Sequence, residues 1–193
     1  MNLKDDYSDS PSDEQLSLRI KRADADAFQH LYHRYFETLF AYLWRRTRDG
    51  EVSKDLAQET FLKLWTHRRS LDPAKSIKAY LYRIANNLSI DHQRKQSLEA
   101  AYAAREAQLG KAVMQQESPE LTEAVHLAIA NLPDAIRVVF TLNRFEGLKY
   151  REIAETLDIS VKTVESRMSK ALKILQEKLH PLLLTLLSLH FLR

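Results

Sequence analysis

The chain has 193 residues, enough for one domain or two small ones, and its 45% hydrophobic content is ordinary for a soluble protein. With only 3 Gly and 5 Pro it argues for long helices over sheets and tight turns, and with no Cys it excludes a disulfide framework, a thiolate zinc site and a cysteine nucleophile. The formal net charge of +3 does not by itself require a nucleic-acid partner, but Lys4 stands against Asp5, Asp6, Asp9, Asp13 and Glu14 in residues 1–18, so the basic excess lies in the body.

Residues 1–12 are polar and acidic and are expected to be disordered; nothing there resembles a secretion signal. From Asp13 a short helix leads to a longer one, Ala25 to about Arg48. In it Phe28, Leu31, Tyr32, Tyr35, Leu39, Tyr42 and Leu43 keep helical spacing, and Arg45, Arg46 and Arg48 suit the negative end of the helix dipole. His30 and His33 could share a face, but no third ligand accompanies them, so neither a metal nor a cofactor is expected.

The next helix, Val52 to His67, turns Ala57, Phe61, Leu64 and Trp65 inward. Asp55, Gln58, Glu59 and Leu62 recur at i, i+3, i+4 and i+7 on another face. Acid, amide and a leucine together fit both a solvated surface and a docking face for a basic-apolar partner helix. Leu71-Asp72-Pro73 breaks the chain, and Ser76 can cap a helix from Ile77 to about Lys95. Ile77, Leu81, Ile84, Ala85 and Leu88 face its core. Arg83, Asn86, Asn87, Ile90 and Arg94 point away, with Tyr80 and Asp91 on the flank, a set suited to bases and phosphates. No paired carboxylate site for acid–base catalysis is seen here or elsewhere.

Residues 96–117 are rich in Ala, Gln and Glu with weak periodicity and are expected to form a flexible or partly helical linker. Ser118-Pro119-Glu120 starts a helix, and Pro133 divides Leu121–Leu132 from Asp134–Phe145, with Ile136, Val139, Phe140 and Phe145 at core positions. Then come two helices around a short turn. Tyr150–Leu157 turns Ile153 and Leu157 inward; after Asp158-Ile159, Ser160 stands where an N-cap should. The second helix sets Val161, Val164, Met168, Ala171, Leu172, Leu175 and Leu179 on one side. Opposite lie Lys162, Ser166, Ser169, Lys170 and Lys173, flanked by Thr163, Glu165 and Arg167. That division suits a helix entering the DNA major groove, and it also suits an ordinary amphipathic helix. Residues 181–193 are too apolar for a tail yet too short to span a bilayer; they are expected either to extend the last helix into its own core or to dock a regulator.

Taken as a set, these stretches resemble the extracytoplasmic-function (ECF, group IV) sigma factors of bacterial RNA polymerase. Ala25-Asp26-Ala27-Phe28 with Leu31-Tyr32 and Arg34-Tyr35 is similar to the family's opening helix. The run Asp55 to Trp65 is similar to its core-polymerase-binding helix, and Ala79 to Asn87 with Asp91 and Arg94 to its −10-reading helix. Leu132-Pro133, Arg144 to Leu148 and Lys170-Ala171-Leu172 are similar to its −35-reading domain.

The resemblance implies an all-α protein of two small helical domains: a region 2-like bundle over 13–95 and a region 4-like helix-turn-helix over 118–180, with 96–117 between them and 181–193 beyond the family pattern. It implies that Asp55, Gln58, Glu59 and Leu62 meet core polymerase. Arg83, Asn87, Asp91 and Arg94 would lie at the melted −10 element. Lys162, Thr163, Glu165, Ser166, Arg167, Ser169 and Lys170 would face the −35 duplex. Glu165 departs from the Lys or Arg often found there. The implied partners are core polymerase, promoter DNA and an anti-sigma factor, with no small-molecule substrate, no membrane insertion of its own and no catalysis. The implied location is cytoplasmic, at the nucleoid when bound to polymerase. Two competing readings stay open at this point: a helix-turn-helix repressor or activator, and an adaptor that binds polymerase without DNA.

Overall fold

The computed structural model describes the backbone of residues 11–106 and 121–191 and the side chains of 11–98 and 124–180. The described elements are helices: α1 Asp13–Lys21, α2 Ala25–Thr47, α3 Gly50–Thr66, α4 Ile77–Glu106, α5 Leu121–Ala130, α6 Asp134–Arg144, α7 Tyr150–Leu157 and α8 Val161–Phe191, with one 3-10 turn at Arg68–Ser70. They group into two compact units, the first built on α1 to α4 and the second on α5, α6, most of α7 and α8, dividing near Ala103.

Each helix of the first unit starts at a residue whose side chain accepts an otherwise unpaired backbone N–H. Ser12 and Gln15 form a reciprocal capping box at α1. Asp24 accepts from Ala27 N at 3.0 Å, Asp49 from Val52 N at 3.0 Å, and Ser76 from Ala79 N at 3.2 Å. Arg48, in the left-handed region at φ 57°, ends α2. Phe28 meets Trp65 at 4.9 Å and Tyr32 meets Phe61 at 4.8 Å, so the start of α2 lies against the end of α3 and the two run antiparallel. Leu31, Leu39, Leu43, Ala57, Leu64, Leu81 and Ala85 are fully buried. Ser12, placed by sequence in the disordered stretch, is the α1 cap; residues 1–10 lie outside the described ones. Helix α4 continues past the expected end at Lys95 to Glu106, so residues 96–106 of the expected linker are helical. Their Ala and Glu are strong helix formers, and no Gly or Pro stops them.

In the second unit Val139, Leu142, Leu148, Ile153, Val164 and Ala171 are buried. Gly147 at φ 66° turns the chain after α6, and Asn143 Nδ2 donates to Leu148 O at 3.0 Å to hold that turn. Asp158 at φ 52° ends α7. Three positions expected to face the core are surface ones: Phe145 is 45% exposed beyond the end of α6, Leu172 is 56% exposed and Val161 is 37% exposed. Leu172 sits about 100° round the helix from buried Ala171, which carries it off the stripe that Val164, Met168, Ala171 and Leu175 bury. Val161 lies in the first turn of α8. Helix α8 runs on through Pro181 to Phe191; what the side chains of 181–193 cover lies outside the described residues.

Candidate nucleic-acid and partner-binding faces

Helix α3 has two unlike sides. One buries Leu56, Ala57, Thr60, Phe61 and Leu64. The other carries Asp55, Gln58, Glu59 and Leu62, all exposed, with Leu62 at 62%. Glu59 pairs with Lys63 at 3.3 Å, but both side chains are nearly half exposed, so the pair is worth little and exchanges readily for another partner. A leucine this exposed, ringed by two carboxylates and an amide, has an apolar centre and an acidic rim. A helix with a leucine-sized apolar spot and flanking cations complements it.

On α4, Arg83, Asn87, Asp91 and Arg94 fall at i, i+4, i+8 and i+11, and all four are exposed. The Arg83 guanidinium lies over the Tyr80 ring at 5.0 Å, and Arg94 reaches Asp91 at 3.9 Å in an open, solvated pair. The stripe therefore offers a cation steadied by an aromatic ring, an amide and a loose ion pair, groups suited to bases and phosphates of an unpaired strand.

Asn86 and Ile90 do not point outward as their positions suggested. Asn86 is 5% exposed and its Oδ1 accepts from the Tyr42 hydroxyl at 3.3 Å. Ile90 is half-buried. Ser89, fully buried, was not singled out from sequence; its Oγ accepts from Arg46 Nε at 2.8 Å and donates to Asn86 O at 2.7 Å. Asn carries no apolar signal, so periodicity alone places Asn86 on the wrong side.

In the helix-turn-helix, Ser160 Oγ accepts from Thr163 N at 3.0 Å and contacts Thr163 Oγ1 at 2.8 Å. Thr163 is half-buried and completes the cap. Lys162, Glu165, Ser166, Ser169 and Lys170 are exposed, and Arg167 is half-buried at the edge of the same face. The N-terminal turns of α8 thus present two lysines, two serines and one carboxylate away from the core. A DNA major groove is wide enough to admit an α-helix, and a minor groove is not.

Two family models match the chain: Sigma-70 region 2 over residues 31–99 and Sigma-70, region 4 over residues 122–175. The RNA polymerase sigma-H factor of Pseudomonas aeruginosa is 31% identical over 184 residues, covering 89% of this chain and 95% of that protein. The ECF RNA polymerase sigma factor SigW of Bacillus subtilis is 30% identical, covering 85% of this chain and 95% of that protein. The chain belongs to the extracytoplasmic-function sigma factors of the sigma-70 family. Among solved structures, CnrH in complex with the cytosolic domain of CnrY superposes with TM-score 0.66 at 24% identity, covering 88% of this chain and 97% of that one. RpoE from Bartonella quintana, solved with the anti-sigma factor NepR, superposes with TM-score 0.65 at 22% identity, covering 79% and 96%. Both share the all-helical fold.

As a sigma factor, the protein binds core RNA polymerase and directs promoter-specific initiation by recognising −35 and −10 elements. The two matched regions overlap all three faces described above. Sigma factors act on RNA polymerase in the cytoplasm and are not an enzyme class. Among the described residues no helix is long and apolar enough to cross a membrane.

Proposed function

We propose that the three faces divide the work of initiation. Residues 13–95 act as the region 2 domain and 118–180 as the region 4 domain, joined by 96–117. Asp55, Gln58, Glu59 and Leu62 dock core polymerase, with Leu62 as the apolar anchor. Arg83, Asn87, Asp91 and Arg94 hold the melted −10 strand, where extracting a base from the stack costs a few kcal/mol. Lys162, Thr163, Glu165, Ser166, Arg167, Ser169 and Lys170 face the −35 duplex, the cations on phosphates and Glu165 toward a base edge such as cytosine N4. The observation that carries this reading is the exposure of Leu62 among acids on α3, since a DNA-binding regulator that does not join polymerase has no use for that face.

The protein performs no chemistry of its own and sits at the nucleoid when polymerase-bound. An anti-sigma factor restrains it, a reading supported by the NepR and CnrY complexes of its structural relatives. The test is separability. Alanine sets at the α3 face should abolish core binding. Sets at the α4 face should spare core binding and lose strand melting, and sets on α8 should lose −35 duplex affinity. An α4 set that lost core binding, or an α3 set that kept it, would overturn the division.

A further inference from the structure

The side of α4 that meets α2 begins with the buried Tyr82, edge-on to the Tyr42 ring at 5.2 Å, and continues with polar residues where a helix core face is ordinarily apolar. Asn86, Ser89 and Gln93 recur there at helical spacing, with Asn86 at 5% exposure and Ser89 at 0%. Tyr42 and Arg46, one turn apart on α2, answer them. The Tyr42 hydroxyl donates to Asn86 Oδ1 at 3.3 Å, Arg46 Nε to Ser89 Oγ at 2.8 Å, and Gln93 Nε2 to Arg46 O at 3.5 Å. The bonded positions climb both helices together, so α2 and α4 run parallel along this seam. The Arg46 guanidinium also lies 5.8 Å from the Tyr42 ring centroid.

Hydrogen bonds are more directional than apolar contact and so more sensitive to small slides and rotations. A slip of α4 by one residue moves it by about 1.5 Å and turns it by roughly 100°. The bonds of the seam would then break, and at the buried Tyr42–Asn86 pair an unpaired polar group is costly. Leucines at 86 and 89 would allow such slips at far smaller loss. The best-attested use of a polar group buried at a helix contact is to set register. About a third of a turn round α4 from the seam lie Arg83, Asn87, Asp91 and Arg94, and a base-capturing face tolerates little angular error.

We propose that the Tyr42–Asn86 and Arg46–Ser89 seam is a positioning device: it fixes the rotation and axial register of α4 so that the outward stripe meets the melted −10 strand. The proposal rests on the assignment of that stripe to the −10 element. It makes Tyr42, Arg46, Asn86 and Ser89 positioning residues, which touch neither DNA nor core polymerase. The α3 docking face does not depend on the seam.

The experiment uses full-length protein assembled with core polymerase, on a promoter mapped by run-off transcription of host genomic fragments. The variant Tyr42→Phe/Asn86→Leu replaces both partners of a buried bond by apolar groups of similar shape, a change that is often neutral or stabilising. Its thermal midpoint and core affinity should match the parent, while permanganate reactivity of −10 thymines falls about tenfold or more. Unchanged permanganate reactivity would overturn the proposal. Should that variant fold poorly, Arg46→Lys keeps the charge but cannot present Nε to Ser89. It should lower strand opening about threefold with core affinity retained, and no loss would again overturn the proposal. Asn87→Ala, run in parallel, reports on the −10 assignment itself. If Asn87→Ala leaves opening intact, that assignment fails; if it lowers opening while both seam variants do not, the positioning role alone fails.

Discussion

The Tyr42 hydroxyl donates to Asn86 Oδ1 across 3.3 Å inside the first unit, one residue from the exposed Asn87. Two adjacent asparagines on one helix thus do opposite things. Asn86→Ala deletes the acceptor and leaves the Tyr42 bond unmade in a buried place. The expected loss is about 1–3 kcal/mol, read as a lower urea midpoint with unchanged slope. Asn87→Ala should move stability by less than about 0.5 kcal/mol. Equal effects at the two positions would contradict the burial pattern.

Leu62→Asp tests the α3 face. With Leu62 at 62% exposure its removal should change folding stability by less than about 0.5 kcal/mol. A charged group at the centre of a docking face should weaken core polymerase binding at least about thirtyfold, the loss expected for a hot-spot anchor. Fluorescence titration of labelled protein with core polymerase measures it, and an unchanged affinity would remove Leu62 from the interface.

Lys170→Ala tests the groove face of α8. Loss of one phosphate contact should lower −35 duplex affinity at all sequences alike and flatten the slope of log K against log salt by about one. Glu165→Lys should do something different. It should raise affinity for duplex of any sequence and steepen the salt dependence, while discrimination at one −35 base pair relaxes by about 1–3 kcal/mol. Binding isotherms from about 50 to 200 mM salt separate the two cases.

Asp24 carries the pH dependence visible at the first unit. Its carboxyl is held below the ordinary carboxylate value first by the hydrogen bond from Arg19 and then by the Ala27 N–H that it caps. A lowered folded-state pKa means stabilisation that is fully present above the unfolded value and lost as pH falls through the folded one. The stability difference between the parent and Asp24→Asn should therefore hold level from about pH 7 to 5 and shrink below about pH 4. A difference that grew on acidification would have the wrong sign.

Much of this architecture was legible because the helices announce themselves. Ser76 and Ser160 cap the helices their positions promised, and Tyr150–Leu157 forms as its spacing required. The outward placement of Asp55, Gln58, Glu59 and Leu62 was legible for a related reason: Phe61 and Leu64 are large enough to decide which side is inside. Periodicity failed where residue type and environment part company. Asn86 and Ser89 are polar and buried, and only a partner supplied from α2, some forty residues earlier, reveals it. Phe145 and Leu172 are apolar and exposed, since one lies beyond its helix and the other off the buried stripe. The helical run to Glu106 falls within the stretch expected to be flexible or partly helical; its extent was not legible because weak amphipathicity marks no boundary, whereas propensity alone can carry a helix onward.

Run-off transcription with purified core polymerase on fragmented host DNA, with parent protein and with Leu62→Asp, tests the central claim most directly. The account predicts discrete starts that depend on the parent, share one −35 and −10 pair, and vanish with Leu62→Asp while its −35 duplex binding persists. Starts of equal strength with Leu62→Asp would contradict it.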